Sequence, residues 1–244
     1  MKIHYLTFVL IGLLSLNSCG GDDDGTITPP NPTSADISGS VNLYDEGTTQ
    51  IDNSNMTVKV EGTSKTASTN AEGEYTLTSV SFGTYTLSYE KAGYGTFKKF
   101  GVEHKDGNTI ITQAPSLGEV STTQVTNLAA NVNVNEVVVS VTTDPAGSNG
   151  NTRYVRYFLS TDANVSSQNY SYHSEGLISR INPLEITLSE ADLTNAGFAS
   201  GETVYIKVYG DSFWSNEYDD PGLSRKVFPN LNMTSADAVS FEVP

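Results

Sequence analysis

From Ile37 onward apolar and polar positions alternate with a period of two. Met56, Val58 and Val60 stand against Thr57, Lys59 and Glu61, followed by Tyr75 with Leu77 and then Tyr85, Leu87 and Tyr89. Successive side chains of a strand point to opposite faces, so the pattern predicts half-buried strands. Between these runs, NAEGEY and SFGTY place Gly73 and Gly83 where turns call for positive φ. Strands at roughly ten-residue spacing, without a sustained helical period, predict a sandwich or barrel.

The alternation resumes in the second half. TTQVTNLAA leads into a strand at Glu136 to Thr143, and DPAGSNGN then makes a turn. Further strands are predicted at Thr152 to Ser160, around Leu184, Ile186 and Leu188, at Gly201 to Gly210, and in AVSFEVP at the C-terminus. Within Gly201 to Gly210, Val204, Ile206 and Val208 face one way and Tyr205, Lys207 and Tyr209 the other. One short helix is predicted in SEADLTNAG, with Ser189 as N-cap, Asp192 reciprocating and Gly197 ending it. The fold class expected is all-β: two consecutive β-sandwich domains, at 36–119 and 122–244.

Charge changes the picture of partners. The chain of 244 residues has 28 acids against 13 bases, a formal charge of −15, and its bases form no patch or stripe. Nucleic-acid binding depends on Lys and Arg neutralising phosphates, so that class of function is excluded. The N-terminus adds an address. Lys2 precedes an apolar run from Tyr5 to Leu16 that is too short for a spanning helix, which needs ~20 residues, and this predicts a secretory signal over 1–18. The only cysteine, Cys19, follows at once, and GGDDDGTITPPNPTSA then reads as a Pro-rich, acidic tether over 19–35.

Four resemblances follow from these residues. LNSC, Leu16 to Cys19, resembles a bacterial lipobox, which implies cleavage before Cys19 and lipidation of its thiol. Several acyl chains hold a protein on a membrane where one is marginal. The expected location is therefore the outer membrane, with the chain lipid-anchored and displayed at the cell surface. Asp22, Asp23 and Asp24 resemble the surface-export signal of Bacteroidetes lipoproteins; a solvated linker is the other reading. Glu72-Gly73, Tyr75, Leu77, Gly83, Tyr85, Leu87 and Gly93-Tyr94 resemble the carboxypeptidase regulatory-like domain, a transthyretin-like β-sandwich. That family implies an accessory module without catalytic residues. Leu128, TRYVRYF and FASGETVYIKVYG resemble a fibronectin type III or related immunoglobulin-like sandwich, although Glu136 to Thr143 lacks the tryptophan such domains often carry.

Candidate chemistry is sparse. His104 and His173 are the histidines beyond the signal, and neither lies in a motif for nucleophilic, metal or phosphate chemistry. No catalytic residue, cofactor or metal is expected; a lone histidine in a sandwich is read as a surface or edge residue. The long segment Asp211 to Ala238 carries the candidate ligand-binding residues Phe213, Trp214, Tyr218, Asp219 and Asp220. Aromatic rings stack on the apolar faces of sugars while carboxylates accept hydroxyl hydrogen bonds, so a glycan is one expected partner. The alternative is that Trp214 folds back as a lid on the sandwich. Tyr170 and Tyr172 are expected to emerge at the opposite end from Trp214. Asp211, Glu217, Asp219 and Asp220 are hard oxygen ligands without an EF-hand spacing, which makes calcium a weaker reading. The function expected is a non-enzymatic, lipid-anchored envelope protein displayed to bind a glycan or protein. The alternative is an accessory subunit of an outer-membrane assembly, with a degenerate hydrolase component behind both.

Overall fold

The computed structural model describes residues 33–244. The signal segment, Cys19, the acidic tether and Asp22 to Asp24 lie outside the described residues. In the first half, nine strands follow in order: β1 (Ser34–Ser40), β2 (Asn42–Tyr44), β3 (Thr57–Val60), β4 (Thr66–Ser68), β5 (Glu74–Ser81), β6 (Gly83–Glu90), β7 (Thr96–His104), β8 (Thr109–Ile110) and β9 (Ser116–Gly118). They form one sheet in the order β5-β1-β8, a second in the order β4-β3-β6-β7, and a parallel β2-β9 pair.

Alternation decides what the sheets bury. Val58 and Val60 are fully buried while Thr57 and Lys59 are exposed. Their register sets Val58 opposite Tyr89 and Val60 opposite Leu87. Ile37, Leu43, Met56, Leu77 and Leu117 complete this core, and burying each such side chain contributes about 1.5–3 kcal/mol. Tyr75 and Tyr89 cross edge to face at 5.9 Å with their hydroxyl oxygens 2.8 Å apart. Each buried hydroxyl thereby has a partner, as a polar group in a core requires. Of the two turn glycines, Gly73 has φ +86° and a Cβ there would meet the Val41 carbonyl at 2.2 Å. Gly83 does not take positive φ; it opens β6, close against the Tyr85 ring.

The second half contains β10 (Gln124–Val132), β11 (Glu136–Asp144), β12 (Arg153–Ser160), β13 (Tyr172–His173), β14 (Leu177–Ser179), β15 (Leu184–Ser189), β16 (Thr203–Asp211), β17 (Tyr218–Asp220), β18 (Arg225–Val227) and β19 (Val239–Glu242). TTQVTNLAA does more than lead into a strand, since most of it forms β10. One sheet runs β10-β11-β15; the facing sheet runs β12-β16-β19, with β13 and β14 end to end along the outer edge of β12. Val137, Val139, Val141, Val155, Leu159, Val204, Ile206 and Val208 fill the space between them. The helix α1 (Glu190–Asn195) starts at the expected capping box: the Ser189 hydroxyl accepts from the Asp192 N–H, and the Asp192 carboxylate accepts from the Ser189 N–H. Leu193 anchors it in the core.

β16 is buried on both faces, which its Tyr-Lys-Tyr face conceals in the sequence. A small second cluster of Phe158, Tyr209, Phe228 and Leu231 covers the outside of the sheet, with Tyr170 and Tyr205 packed against it. The covering residues Phe228 and Leu231 come from the long segment after β16. His104 is buried rather than at the surface: its two ring nitrogens bond the Thr109 hydroxyl at 2.8 Å and the Val80 carbonyl at 3.1 Å. No helix among the described residues is long and apolar enough to cross a membrane.

Candidate functional site

The segment from Asp211 onward leaves β16, crosses to the first sandwich, turns through the β17-β18 hairpin and returns over the outer face of the sheet. Its first stretch is fastened by hydrogen bonds to residues far away in sequence. The Ser212 hydroxyl donates to the Glu119 carbonyl at 2.6 Å and the Phe213 N–H to the Glu46 carbonyl at 2.9 Å. Asn216, with φ +52°, is buried and makes three bonds: Nδ2 donates to the carbonyls of Tyr94 (2.9 Å) and Gly118 (2.8 Å), and Oδ1 accepts from the Gly118 N–H at 2.7 Å. Asn230 Nδ2 donates to the Trp214 carbonyl at 2.7 Å, while its own carbonyl accepts from the Ser121 N–H. Glu46 closes the junction, accepting from the Thr122 N–H at 2.8 Å and from the Thr122 hydroxyl, with Arg153 at 3.4 Å.

This fastening positions an aromatic group. Trp214 is half-buried, its ring 4.9 Å from Tyr44 of β2 and 5.2 Å from Phe213, which stands edge-on to it. Trp214 therefore packs on the first sandwich and joins neither core of the second. Phe213 is 45% exposed and meets Tyr154 of β12 at 5.8 Å. Two clefts adjoin here. One, of about 330 Å³, lies between Tyr154, Arg156, Glu175 and Phe213. The other, of about 310 Å³, lies between Phe97 and Leu117 of the first sandwich and Trp214 of the second. Phe213, Ser215 and Glu217 belong to both and form their common wall.

Beneath the first cleft sits Arg156, 2% exposed. Its Nε bonds Asp211 at 2.8 Å, its Nη2 bonds Glu217 at 3.0 Å, its Nη1 donates to the Ser174 carbonyl at 2.7 Å, and its plane covers the Phe228 ring at 4.6 Å. Burial pushes the Asp211 carboxyl above its ordinary range, against the pull of Arg156. Burial also raises the Tyr154 and Tyr218 hydroxyls, so both remain protonated hydrogen-bond donors at neutral pH.

Of the five residues expected to bind ligand, Phe213 and Trp214 line the clefts. Tyr218 instead packs on β7, 5.9 Å from Phe97 and 6.0 Å from Phe100. Asp219 pairs with Lys226 at 3.4 Å and Asp220 accepts N–H groups of Gly222 and Leu223 in the hairpin turn. The four carboxylates weighed as calcium ligands do not converge: Asp211 and Glu217 hold Arg156, and Asp219 holds Lys226. With Tyr172 opposite Leu159, at the far end of β12 from Tyr154 and Asp211, the loop of Tyr170 and Tyr172 lies away from Trp214 as expected, and it is held by Tyr170. Its hydroxyl donates to the Lys226 carbonyl at 2.9 Å and His173 packs on Phe228 at 5.0 Å, so this loop meets the returning half of the long segment. Tyr154, Arg156 and Glu175 escaped the sequence reading. The signal for the first two was present in TRYVRYF, where one strand face reads Tyr-Arg-Phe, a pattern unlike a solvated one.

Among solved structures, the chain is similar to a candidate carbohydrate-binding protein from Bacteroides uniformis (16% identity, 85% of this chain and 98% of that one, TM-score 0.32). It is similar also to a DUF3823 family protein from Bacteroides ovatus (15% identity, 86% and 100%, TM-score 0.29). A third likeness is to a type II cohesin–X-dockerin complex from Acetivibrio cellulolyticus (23% identity, 35% and 58%, TM-score 0.30). These likenesses are too distant in sequence and shape to assign a function. No curated protein matches the chain in sequence. Residues 36–115, a span that includes Glu72-Gly73 and Gly93-Tyr94, match the family profile described as the carboxypeptidase regulatory-like domain.

Proposed function

We propose that the chain is a non-enzymatic, lipid-anchored protein of the outer membrane that binds saccharides in the paired clefts around Phe213. In this reading residues 1–18 are a lipoprotein signal peptide, 19–35 a tether from Cys19, 36–119 the regulatory-like module and 122–244 a sandwich of the fibronectin type III or immunoglobulin kind. The observation that carries it is the exposure of Phe213 on a backbone fastened at Ser212, Phe213 and Asn216. A large aromatic ring held out by fixed backbone costs apolar hydration unless a ligand covers it, and preorganisation lowers the entropic cost of binding. Tyr154 supplies a hydroxyl donor and Glu175 and Glu217 supply acceptors around the same ring, the complement of a pyranose with its apolar face and ring of hydroxyls. The Trp214 Nε1–H is buried and has no partner among the described residues, which favours a polar ligand or water near the second cleft.

Glycan-array binding by the mature, unlipidated chain tests the reading. Phe213→Ala should abolish binding while the melting temperature stays near that of wild type, because the ring is exposed. Retained binding by a folded Phe213→Ala protein would refute the site. Anchoring is tested separately: Cys19→Ala should take up no alkyne fatty acid and should leave the membrane fraction. A second reading, an accessory subunit of a larger outer-membrane assembly, is favoured by an uncovered sheet edge on the second sandwich.

A further inference from the structure

The second sandwich is closed on one flank and open on the other. On the closed flank β10 packs against β16 and β19. On the open flank β15 ends one sheet, β13 and β14 end the other, and a groove of about 340 Å³ lies between them and α1. Leu159, Leu177, Ile186, Leu188 and Leu193 give the groove an apolar floor.

The two edges differ. The edge carrying β13 and β14 is broken at Ser174 to Gly176 into two short pieces, one of the ways proteins blunt an edge. β15 has no such protection. It is six residues long, contains no Lys, Pro or register shift, and pairs only with β11 among the described residues. Its sequence LEITLS alternates, with Leu184 and Ile186 half-buried towards the groove and Glu185 and Thr187 exposed on the outer face. Tyr172, Ile178 and Ile181 are exposed on the same flank, at 36%, 48% and 60%. A run of unpaired backbone donors and acceptors beside an apolar trough fits an added strand better than a sugar or a lipid.

We propose that this flank docks an extended peptide from a partner protein, added to β15 as a further strand, with apolar residues facing the groove and basic residues facing out. The charge pattern selects the occupant. An added strand would set every second residue on the face that carries Glu185, one of them directly beside it, and the exposed acids Glu190 and Asp192 stand at the start of α1, next to the end of β15. Opposite charges across neighbouring strands attract and like charges repel. The formal charge of −15 on the chain disfavours an acidic partner, a second copy of itself included. Backbone pairing then supplies affinity and the alternating side chains supply selectivity, the mode of strand addition.

The test uses the mature chain and two labelled peptides, one alternating valine with lysine and one alternating valine with glutamate, followed by fluorescence anisotropy. The basic peptide should bind about tenfold or more tighter than the acidic one. Ile186→Lys, which puts a charge in the groove, should weaken it by a similar factor, and Glu185→Lys should shift preference towards the acidic peptide. Amides of Leu184 to Ser189 should gain hydrogen-exchange protection when the basic peptide is present. Phe213→Ala should leave this binding unchanged, which separates it from the saccharide clefts. Absence of binding, equal binding of both peptides, or binding that survives Ile186→Lys in a protein that melts like wild type overturns the proposal. If Ile186→Lys fails to fold, the change of preference in Glu185→Lys decides. Wild type that sediments as a dimer, and Glu185→Lys that does not, would make the flank a self-interface and also overturn it.

Discussion

Replacing Asn216 with glycine removes three hydrogen bonds at the junction of the sandwiches and nothing else. The backbone there has φ +52°, which glycine adopts freely, so the substitution adds no strain. What remains is the Gly118 N–H without its acceptor and the carbonyls of Tyr94 and Gly118 without their donor, in a place where Asn216 itself was only 5% exposed. A buried polar group left unmade costs about 1–3 kcal/mol, and an ordinary hydrogen bond contributes about 0.5–1.5 kcal/mol net. Carbonyls tolerate the loss better than the N–H, and the adjoining cleft admits some water, so the sum should be about 3 kcal/mol. For a protein of this size 1 kcal/mol moves the melting temperature by about 2–4 °C, which predicts a drop of about 6–12 °C by scanning calorimetry. Asn216→Ala should melt lower still, because alanine at positive φ costs about 1 kcal/mol more than glycine. The order wild type, glycine, alanine is the signature. A glycine variant within about 0.5 kcal/mol of wild type, the range of an indifferent surface change, would refute the idea that this side chain fastens the junction.

Other expectations follow from the same contacts. Arg156→Leu leaves Asp211, which is fully buried, without its counter-charge, and should cost about 3–5 kcal/mol in urea unfolding; adding Asp211→Asn should recover part of the loss. Gly95→Ala should be more damaging than Gly62→Ala, although both glycines have positive φ, because the new Cβ at Gly95 would lie 2.3 Å from the Pro229 carbonyl whereas that at Gly62 meets open space; paired melts of the two variants measure the collision alone. Ser189→Ala removes the capping box of α1 and should cost about 1 kcal/mol, seen as a small fall in the urea midpoint.

Alternation made most of the strands legible, because a half-buried strand writes its inside and outside into every second residue, as Val58 and Val60 do against Thr57 and Lys59. The capping box at Ser189 was legible for a similar reason, being complete within four residues. The long segment was not. Asn216 meets Gly118 across a separation of 98 positions and Ser212 meets Glu119 across 93, and no local pattern announces such a bond. Tyr205 and Tyr209 were ambiguous for another reason. A tyrosine is compatible with water or with burial, and only the return of Phe228 and Leu231 over β16 shows which. The aromatic pair of the candidate site, Phe213 and Trp214, could be picked from composition, but Tyr154 and Glu175 reach it from other strands and loops.

The second cleft has one wall from each sandwich: Phe97 and Leu117 from the first, Trp214 and Asn216 from the second. A fragment holding only one sandwich would keep its own hydrophobic core yet lose half of that wall. Gene rearrangements that exchange one module for another would then discard the pocket even when both halves fold, so the pair must be inherited together for the site to persist. In a collection of relatives, covariation should concentrate at Tyr44, Gly118, Trp214 and Asn216, across the seam, ahead of positions inside either core.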